Sequence, residues 1–330
     1  MNFSHDICQV FSTQYRRVLA NGDDEVFLLG GKNAITGPRS KYSANACCFS
    51  LEDNSLKWEY VHEKSYPFSN AVLDGNLVVG MIHENFPREP CGIWIFERSS
   101  GENIESVSLP SGLSICSGFG SVILAIPDFE NKTSRLEAVS PTREQLGNVE
   151  SSEFDSLVGM CMASERLALL SFKVVQKSKI QYRHELLETQ GLQTRWSMIS
   201  DNDCLHVSDE FAYTYSSEDM CKSIESVDLR NGKVTDVLSI KEPGIQRLVV
   251  QNGRHFLWAN DNRELVYFDR SSKAMSRLDL STDIPGWLDF AVLTDGRIIA
   301  LSTENHLTMK SHLSICVLAQ RELSSRLCGN

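Results

Sequence analysis

Long apolar runs are missing from this chain. No stretch of about 18 apolar residues occurs, so no segment reads as a membrane-spanning helix. Positive charge is also in deficit: 32 Lys and Arg stand against 43 Asp and Glu, for a formal net charge of -11. Phosphate backbones and anionic lipid surfaces require clustered cations, so neither nucleic acid nor membrane is an expected partner. None of the ten cysteines (8, 47, 48, 91, 116, 161, 204, 221, 316 and 328) forms a Cys-x-x-Cys pair, which removes zinc-ribbon and thioredoxin-like spacings. Cys116, Cys161 and Cys316 sit inside apolar runs, where cysteine behaves as a small buried hydrophobe. Free thiols in a reducing, intracellular compartment follow as the expectation, cytoplasmic with the nucleus open. The opening residues MNFSHDICQVFSTQ lack a basic n-region and an apolar h-region, so they do not read as a signal peptide. The sequon Asn131-Lys132-Thr133 carries little weight without one.

What the chain does have is a hairpin that returns. In Trp287–Glu304 an apolar run ends in Thr294-Asp295-Gly296 and a second run, Ile298-Ile299-Ala300-Leu301, follows directly. Asp-Gly between β-prone runs is a strong hairpin signal, because the turn needs φ > 0 and glycine supplies it. The strand after each such turn is expected to begin at Val26, Leu77, Val122, Leu167, Phe211, Phe256 and Ile298, at offsets of 51, 45, 45, 44, 45 and 42 residues. A second hairpin recurs within each unit, at Phe49–Trp58, Ile95–Asn103, Val227–Val234 and Phe268–Met275. Each is an apolar strand, a polar step and a turn of Ser, Asn or Gly, the connection from a third to a fourth strand. Helical periodicity is nearly absent; Glu185–Gln190 passes for a helical turn but lies where a third strand belongs.

A period of 40–50 residues built from short strands points to an all-β chain, a seven-bladed β-propeller of four-stranded antiparallel blades. The blades drawn on this phase are 14–61, 69–110, 112–150, 155–199, 204–240, 245–281 and 287–320, in one domain spanning 1–330. Either terminal segment, 3–11 or 321–327, can supply the strand that closes the ring and hides an open sheet edge.

Nearly the whole chain thus resembles the β-propeller superfamily that includes kelch, WD40 and quinoprotein-like repeats. Phe27-Leu28-Leu29-Gly30-Gly31 and the apolar-to-Trp spacing of Leu51–Trp58 are similar to a kelch repeat, although Gly30-Gly31 is the chain's only double glycine. The Gly-His and Trp-Asp dipeptides of WD40 repeats are absent.

Catalytic constellations fail one by one. Gly112-Leu113-Ser114-Ile115-Cys116 misses the last glycine of a nucleophile elbow, and Ser114 lies in a strand. Gly118-Phe119-Gly120 precedes no helix and is not a phosphate loop. The eight histidines are scattered without His-x-x-x-His spacing; His206 and His255 are placed on channel-lining strands. Asp201-Asn202-Asp203 and Asp261 do not continue into a calcium loop. No cofactor or metal is expected. The leading reading is a non-enzymatic scaffold or adaptor that binds a partner protein or peptide, an acidic segment fitting its loops. A hydrolase or oxidoreductase with a site in the central channel stands as the alternative.

Recognition in such a fold falls to loops on a rigid frame. Two are unusually long, Gly31–Asn45 with Lys32, Arg39, Lys41 and Tyr42, and His83–Gly92 with Phe86 and Arg88 between prolines. Lys132 and Arg135, then Lys173, Lys177 and Lys179, are assigned to the equivalent loops of the next two blades. The opposite ends gather Asp23, Asp24, Glu25, Glu52, Asp53, Asp74, Glu165, Asp209 and Glu210, so one basic and one acidic face are expected. Arginine beside an aromatic is the composition of an interface anchor.

Overall fold

A computed structural model describes residues 3–318 apart from 12–14, 23, 37–38, 74, 84–90, 110–113, 119–120, 129–132, 140–144, 152–156, 165, 177–178, 209, 218–219, 281–287 and 304–309. Every regular element among them is a β-strand, and none is a helix long and apolar enough to cross a membrane. After β1 (Phe3–Phe11), the chain lays down β2 (Tyr15–Ala20), β3 (Glu25–Thr36), β4 (Arg39–Ser50) and β5 (Ser55–Glu63) as one antiparallel sheet. The next sheet is β6 (Ser65–Leu73), β7 (Asn76–His83), β8 (Cys91–Phe96) and β9 (Asn103–Leu109), followed by β10 (Ser114–Gly118), β11 (Ser121–Asp128), β12 (Thr133–Val139) and β13 (Gln145–Ser151). Two more are β14 (Leu157–Ser164), β15 (Leu167–Gln176), β16 (Lys179–Glu188), β17 (Thr194–Ser200) and β18 (Cys204–Ser208), β19 (Phe211–Tyr215), β20 (Met220–Asp228), β21 (Val234–Pro243). Then come β22 (Ile245–Gln251), β23 (His255–Asn260), β24 (Glu264–Asp269) and β25 (Ala274–Asp279), and finally β26 (Leu288–Val292), β27 (Ile298–Thr303) and β28 (Ser311–Leu318).

The expected seven-bladed β-propeller is corrected by this pairing to six blades built wholly from consecutive strands. Six units build a four-stranded sheet from consecutive strands, whereas 288–318 supplies only three. The fourth strand of that last sheet is β1, paired antiparallel to β28 from Phe3↔Leu318 to Phe11↔Ser311. Of the two terminal segments expected to serve there, the N-terminal one does; 321–327 lies outside the described residues.

Turn chemistry explains the hairpin phase. Gly22, Gly253 and Gly296 all sit at positive φ, 79°, 59° and 84°. At Asp295-Gly296 the loop holds three residues, because Leu293 N–H donates to Arg297 O at 2.8 Å and Gly296 N–H to Leu293 O at 3.0 Å. The connection is therefore a type I turn followed by a left-handed glycine, a common hairpin solution.

The third-to-fourth-strand turns share one constraint. Their last residue is left-handed in five sheets: Asn54 (φ 49°), Gly101 (68°), Leu192 (50°), Gly232 (70°) and Lys273 (55°). Backbone conformation alone thus does not demand glycine here. The neighbouring sheet does. Trp58, beside a β-bulge in β5, donates Nε1–H to Arg98 O at 2.8 Å, and a Cβ on Gly101 would stand 2.4 Å from the indole. Trp196, at the same bulge position of β17, donates to Leu229 O at 2.7 Å, and a Cβ on Gly232 would stand 2.7 Å from its ring. Where β13 carries Gly147 at the equivalent row, the following turn carries Leu192, buried in a cluster with Leu136. A large indole thus faces a glycine at two junctions, and at a third the equivalent positions hold a small residue on the strand and a large one in the turn.

The chain divides into two compact units, one of Met1–Pro67, Phe96–Glu102 and Ile245–Asn330, the other of Phe68–Ile95 and Asn103–Gly244. In the first, Tyr15, Val18, Leu28, Phe49, Ile299 and Leu313 form one core, and Leu257, Tyr267, Phe290 and Ile298 another. In the second, Leu170, Phe172 and Leu187 pack with Leu136, while Leu169, Leu186, Ala212 and Val227 form a separate core. Alternation along the inner strands β15, β16 and β27 sends their two faces into different cores, as a sheet covered on both sides requires.

The junction constraint is tested by alanine at three left-handed glycines. Gly101→Ala and Gly232→Ala should each cost about 2–4 kcal/mol, combining backbone strain with overpacking against the indole. Gly191, at φ 78° with nothing within 4 Å of where a Cβ would stand, isolates the backbone part, and Gly191→Ala should cost about 1 kcal/mol in the same denaturant titration. Equal losses at all three would remove the role given to the tryptophans.

Candidate functional site

The expected binding residues divide into those on strands and those outside the described residues. Gly31–Asn45 is not a loop: β3 and β4 stay paired from Gly30↔Asn45 out to Thr36↔Arg39. Gly30-Gly31 lies inside this ladder and does not end the strand. Charged residues misled the sequence reading because a ladder is held by backbone hydrogen bonds, which a solvated ribbon can carry whatever its side chains. β2 begins at Tyr15↔Gly30 and β5 ends at Ser43↔Glu63, so the rows beyond them stand clear of both neighbours. Lys32↔Ser43, Ala34↔Lys41 and Thr36↔Arg39 are alternate rows, which puts Lys32, Arg39 and Lys41 in one set of register positions and Tyr42, opposite Asn33, in the other. Their side chains are not described. Arg135, assigned to a loop, is in β12 opposite Ile126, while Phe86, Arg88 and Lys132 lie outside the described residues. Lys173 and Lys179 are likewise on strands, β15 and β16, and Lys177 is outside the described residues.

At the end of the first unit where that ribbon rises, the sequence reading missed a buried charge. Asp289 of β26 is 1% exposed. It accepts from Val18 N–H of β2 at 2.9 Å and from Arg247 Nη1 of β22 at 3.1 Å. The same Arg247 nitrogen donates to Val18 O at 3.1 Å, and its guanidinium lies 5.6 Å from the Phe290 ring centroid. Arg17 Nη1 stands 4.0 Å from the carboxylate. First strands of three sheets are thus tied by one carboxylate, and removing Arg247 leaves that buried charge without its closest cation. The signal existed in the repeats: Arg17↔Leu29, Arg247↔Ala259 and Asp289↔Leu301 are equivalent rows, visible once the first strands are aligned.

At the opposite ends of the strands several acids are neutralised locally, Asp24 and Glu25 of the expected acidic face among them. Asp24 and Asp295 both bind Arg297, Asp228 binds Arg230, and Asp269 takes two bonds from Arg254, each at 2.9 Å. Glu25 is held by Lys57, by Arg98 Nε at 2.6 Å and by Asn21 Nδ2 at 3.1 Å. Burial raises its pKa, but the Lys57 and Arg98 bonds outweigh burial and leave the carboxyl below its usual range. Asp269 is held well below that range by Arg254. Asp23, Asp74, Glu165 and Asp209 lie outside the described residues.

Chemistry finds little purchase. Burial pushes the thiols of Cys47, Cys48, Cys161 and Cys204 up to about 12, far from a reactive thiolate. Among the described residues no three of His, Cys, Asp and Glu come together as metal ligands. Asp201 bonds Lys179 and Gln181, Asp203 bonds Ser217, and Asp261 accepts from Gln246 at 3.0 Å. His206 is on β18, the first strand of its sheet, as expected. His255 is on the second strand β23, buried with Nδ1 2.7 Å from Tyr267 OH.

No family model and no curated protein sequence matches the chain. Solved structures do. The WD40 β-propeller domain of Doa1 superposes with a TM-score of 0.60 over 97% of this chain and 98% of that one, at 12% identity. The Dos1 propeller gives a TM-score of 0.57 over 94% and 95%, at 11% identity. The chain is a β-propeller. At this identity the likeness shows the fold alone, and it gives the kelch-type reading of the first blade no specific support. In propeller terms, β2, β22 and β26 are first strands of their blades, and the Asp289 knot joins blades through them.

One buried group gives the propeller a pH signature. His184 of β16 is 0% exposed, with Nε2 3.1 Å from Asn202 O, and burial lowers its pKa from 6.5 to about 4. The fold therefore favours the neutral ring, and its contribution is complete above pH 6.5 and lost as pH falls toward 4. Between pH 7 and pH 5 wild type should lose about 2 kcal/mol more than His184→Gln, whose amide can keep the Asn202 bond. Parallel stability-against-pH curves would contradict the assignment.

Proposed function

We propose that this propeller is a non-enzymatic protein-binding module, a scaffold or adaptor that takes an acidic peptide or loop of a partner. The residues we assign to binding are Lys32, Arg39, Lys41 and Tyr42 on the β3–β4 ribbon and, from the sequence, Phe86, Arg88, Lys132 and Arg135. The observation that carries this reading is the ribbon. Its backbone is paired beyond both flanking strands, and Lys32, Lys41 and Arg39 fall in one set of alternate rows. A paired ribbon fixes the spacing of the backbone positions that carry these residues and loses little backbone entropy on binding, which favours recognition of carboxylates by a locally basic patch on an acidic protein. Free thiols at Cys47, Cys48, Cys161, Cys204, Cys221 and Cys316 support an intracellular, reducing setting.

The test is native affinity purification from the source cells, wild type beside Arg39→Glu/Arg88→Glu, with mass spectrometry and thermal melts on the same preparations. A stoichiometric partner should be recovered with wild type and depleted at least tenfold with the variant, at unchanged melting temperature. Undiminished recovery with the variant, or no partner with either protein, would overturn the proposal.

A further inference from the structure

A second ribbon, wholly within the other unit, is described with part of its side chains. β15 and β16 pair from Leu167↔Glu188 to Gln176↔Lys179. β14 reaches only Leu157↔Phe172 and β17 only Tyr182↔Ser200, so among the described residues the rows Val174↔Gln181, Val175↔Ile180 and Gln176↔Lys179 pair with no third strand. A lone two-stranded ribbon is marginal in water unless something packs on it. One face of this ribbon is apolar at its tip. Val175 is 68% exposed, more than any other large hydrophobic residue among the described ones, and Ile180 directly opposite is 48% exposed. Lys173, two residues before Val175 and so on the same face, is exposed and makes no ion pair among the described residues. Lys179, on the other face, is held by Asp201 at 2.8 Å. The root is fixed: Tyr182 opposite Lys173 is buried, and the Arg183 guanidinium lies 5.1 Å from the Phe172 ring centroid.

From this geometry we infer that the Val175–Ile180 face is a docking anchor for an acidic segment of a partner protein that carries a large apolar side chain. Two β-branched side chains, stiff at χ1, lie side by side on a paired backbone, so covering them costs little conformational entropy. Lys173 sets the charge of what covers them: a carboxylate beside the apolar side chain completes the contact, whereas a basic segment is repelled. The inference rests on the protein-binding reading and adds a second contact to it, in a different unit from the β3–β4 ribbon.

The experiment is selection of a random-sequence displayed peptide library on the full chain. Enriched peptides are then titrated by fluorescence polarisation against wild type, Val175→Ser/Ile180→Ser, Lys173→Glu and Arg39→Glu/Arg88→Glu. Because Val175, Ile180 and Lys173 are exposed, their variants should melt within about 2 °C of wild type. Enriched peptides should combine Asp or Glu with a large apolar residue, and Kd should rise at least tenfold on Val175→Ser/Ile180→Ser and at least threefold on Lys173→Glu. Peptides indifferent to these changes but weakened by Arg39→Glu/Arg88→Glu would sink the anchor and leave the protein-binding reading standing. No enriched peptide, together with no partner from cells, would sink both. Sedimentation velocity and co-sedimentation with phosphatidylserine vesicles complete the set. A wild-type dimer, or vesicle binding, abolished by Val175→Ser/Ile180→Ser would assign the face to a second copy or to lipid and overturn the proposal.

Discussion

An indole needs room, and the room is made by a glycine in the next sheet. Trp58 over Gly101 and Trp196 over Gly232 are the same contact made twice, each with the indole N–H satisfied by a carbonyl of the turn it covers. Gly147 and Leu192 occupy the equivalent places with the sizes reversed. A repeat architecture gains its stability from interfaces between neighbouring units, so a rule that fixes the fit at the interface governs how far sheets may differ in sequence and still stack. Each sheet needs only to match its neighbour.

The Asp289 knot solves a different problem. β26, β2 and β22 come from distant parts of the chain, and the sheet of β26–β28 is completed by β1. Joining first strands through one desolvated carboxylate and Arg247 makes their register depend on a specific geometry as well as on apolar packing. The chain's acidic excess is managed at the other ends of the sheets, where carboxylates are capped one by one by arginines of their own or neighbouring turns. Lys32, Arg39 and Lys41 stand on one projecting ribbon and Lys173 on the other, which is where recognition is proposed.

Much of the fold was legible because glycine and asparagine turns punctuate it. The strand that follows each first hairpin starts within one residue of its expected position in all seven sheets, and the four third-to-fourth connections fall where they were read. What the chain did not disclose required contacts between repeats. Nothing local distinguishes 3–11 from 321–327 as the strand that completes the last sheet, since both are short and mixed in polarity. The ribbons were read as loops because lysines and serines interrupt their apolar pattern, although backbone pairing needs no such pattern. Arg247 and Asp289 look like ordinary surface charges until the first strands are aligned. The candidate site was accordingly legible in its composition and not in its geometry.

The measurement that tests the junction rule most directly is a double-mutant cycle that transplants one solution onto another: wild type, Trp58→Gly, Gly101→Leu and the double variant, compared by denaturant titration. Gly101→Leu alone should be the most damaging change. If size complementarity governs the junction, the double variant should be at least about 1.5 kcal/mol more stable than the sum of the single losses allows. Losses that add to within about 0.5 kcal/mol would contradict it, and the tryptophans would then be ordinary packing residues.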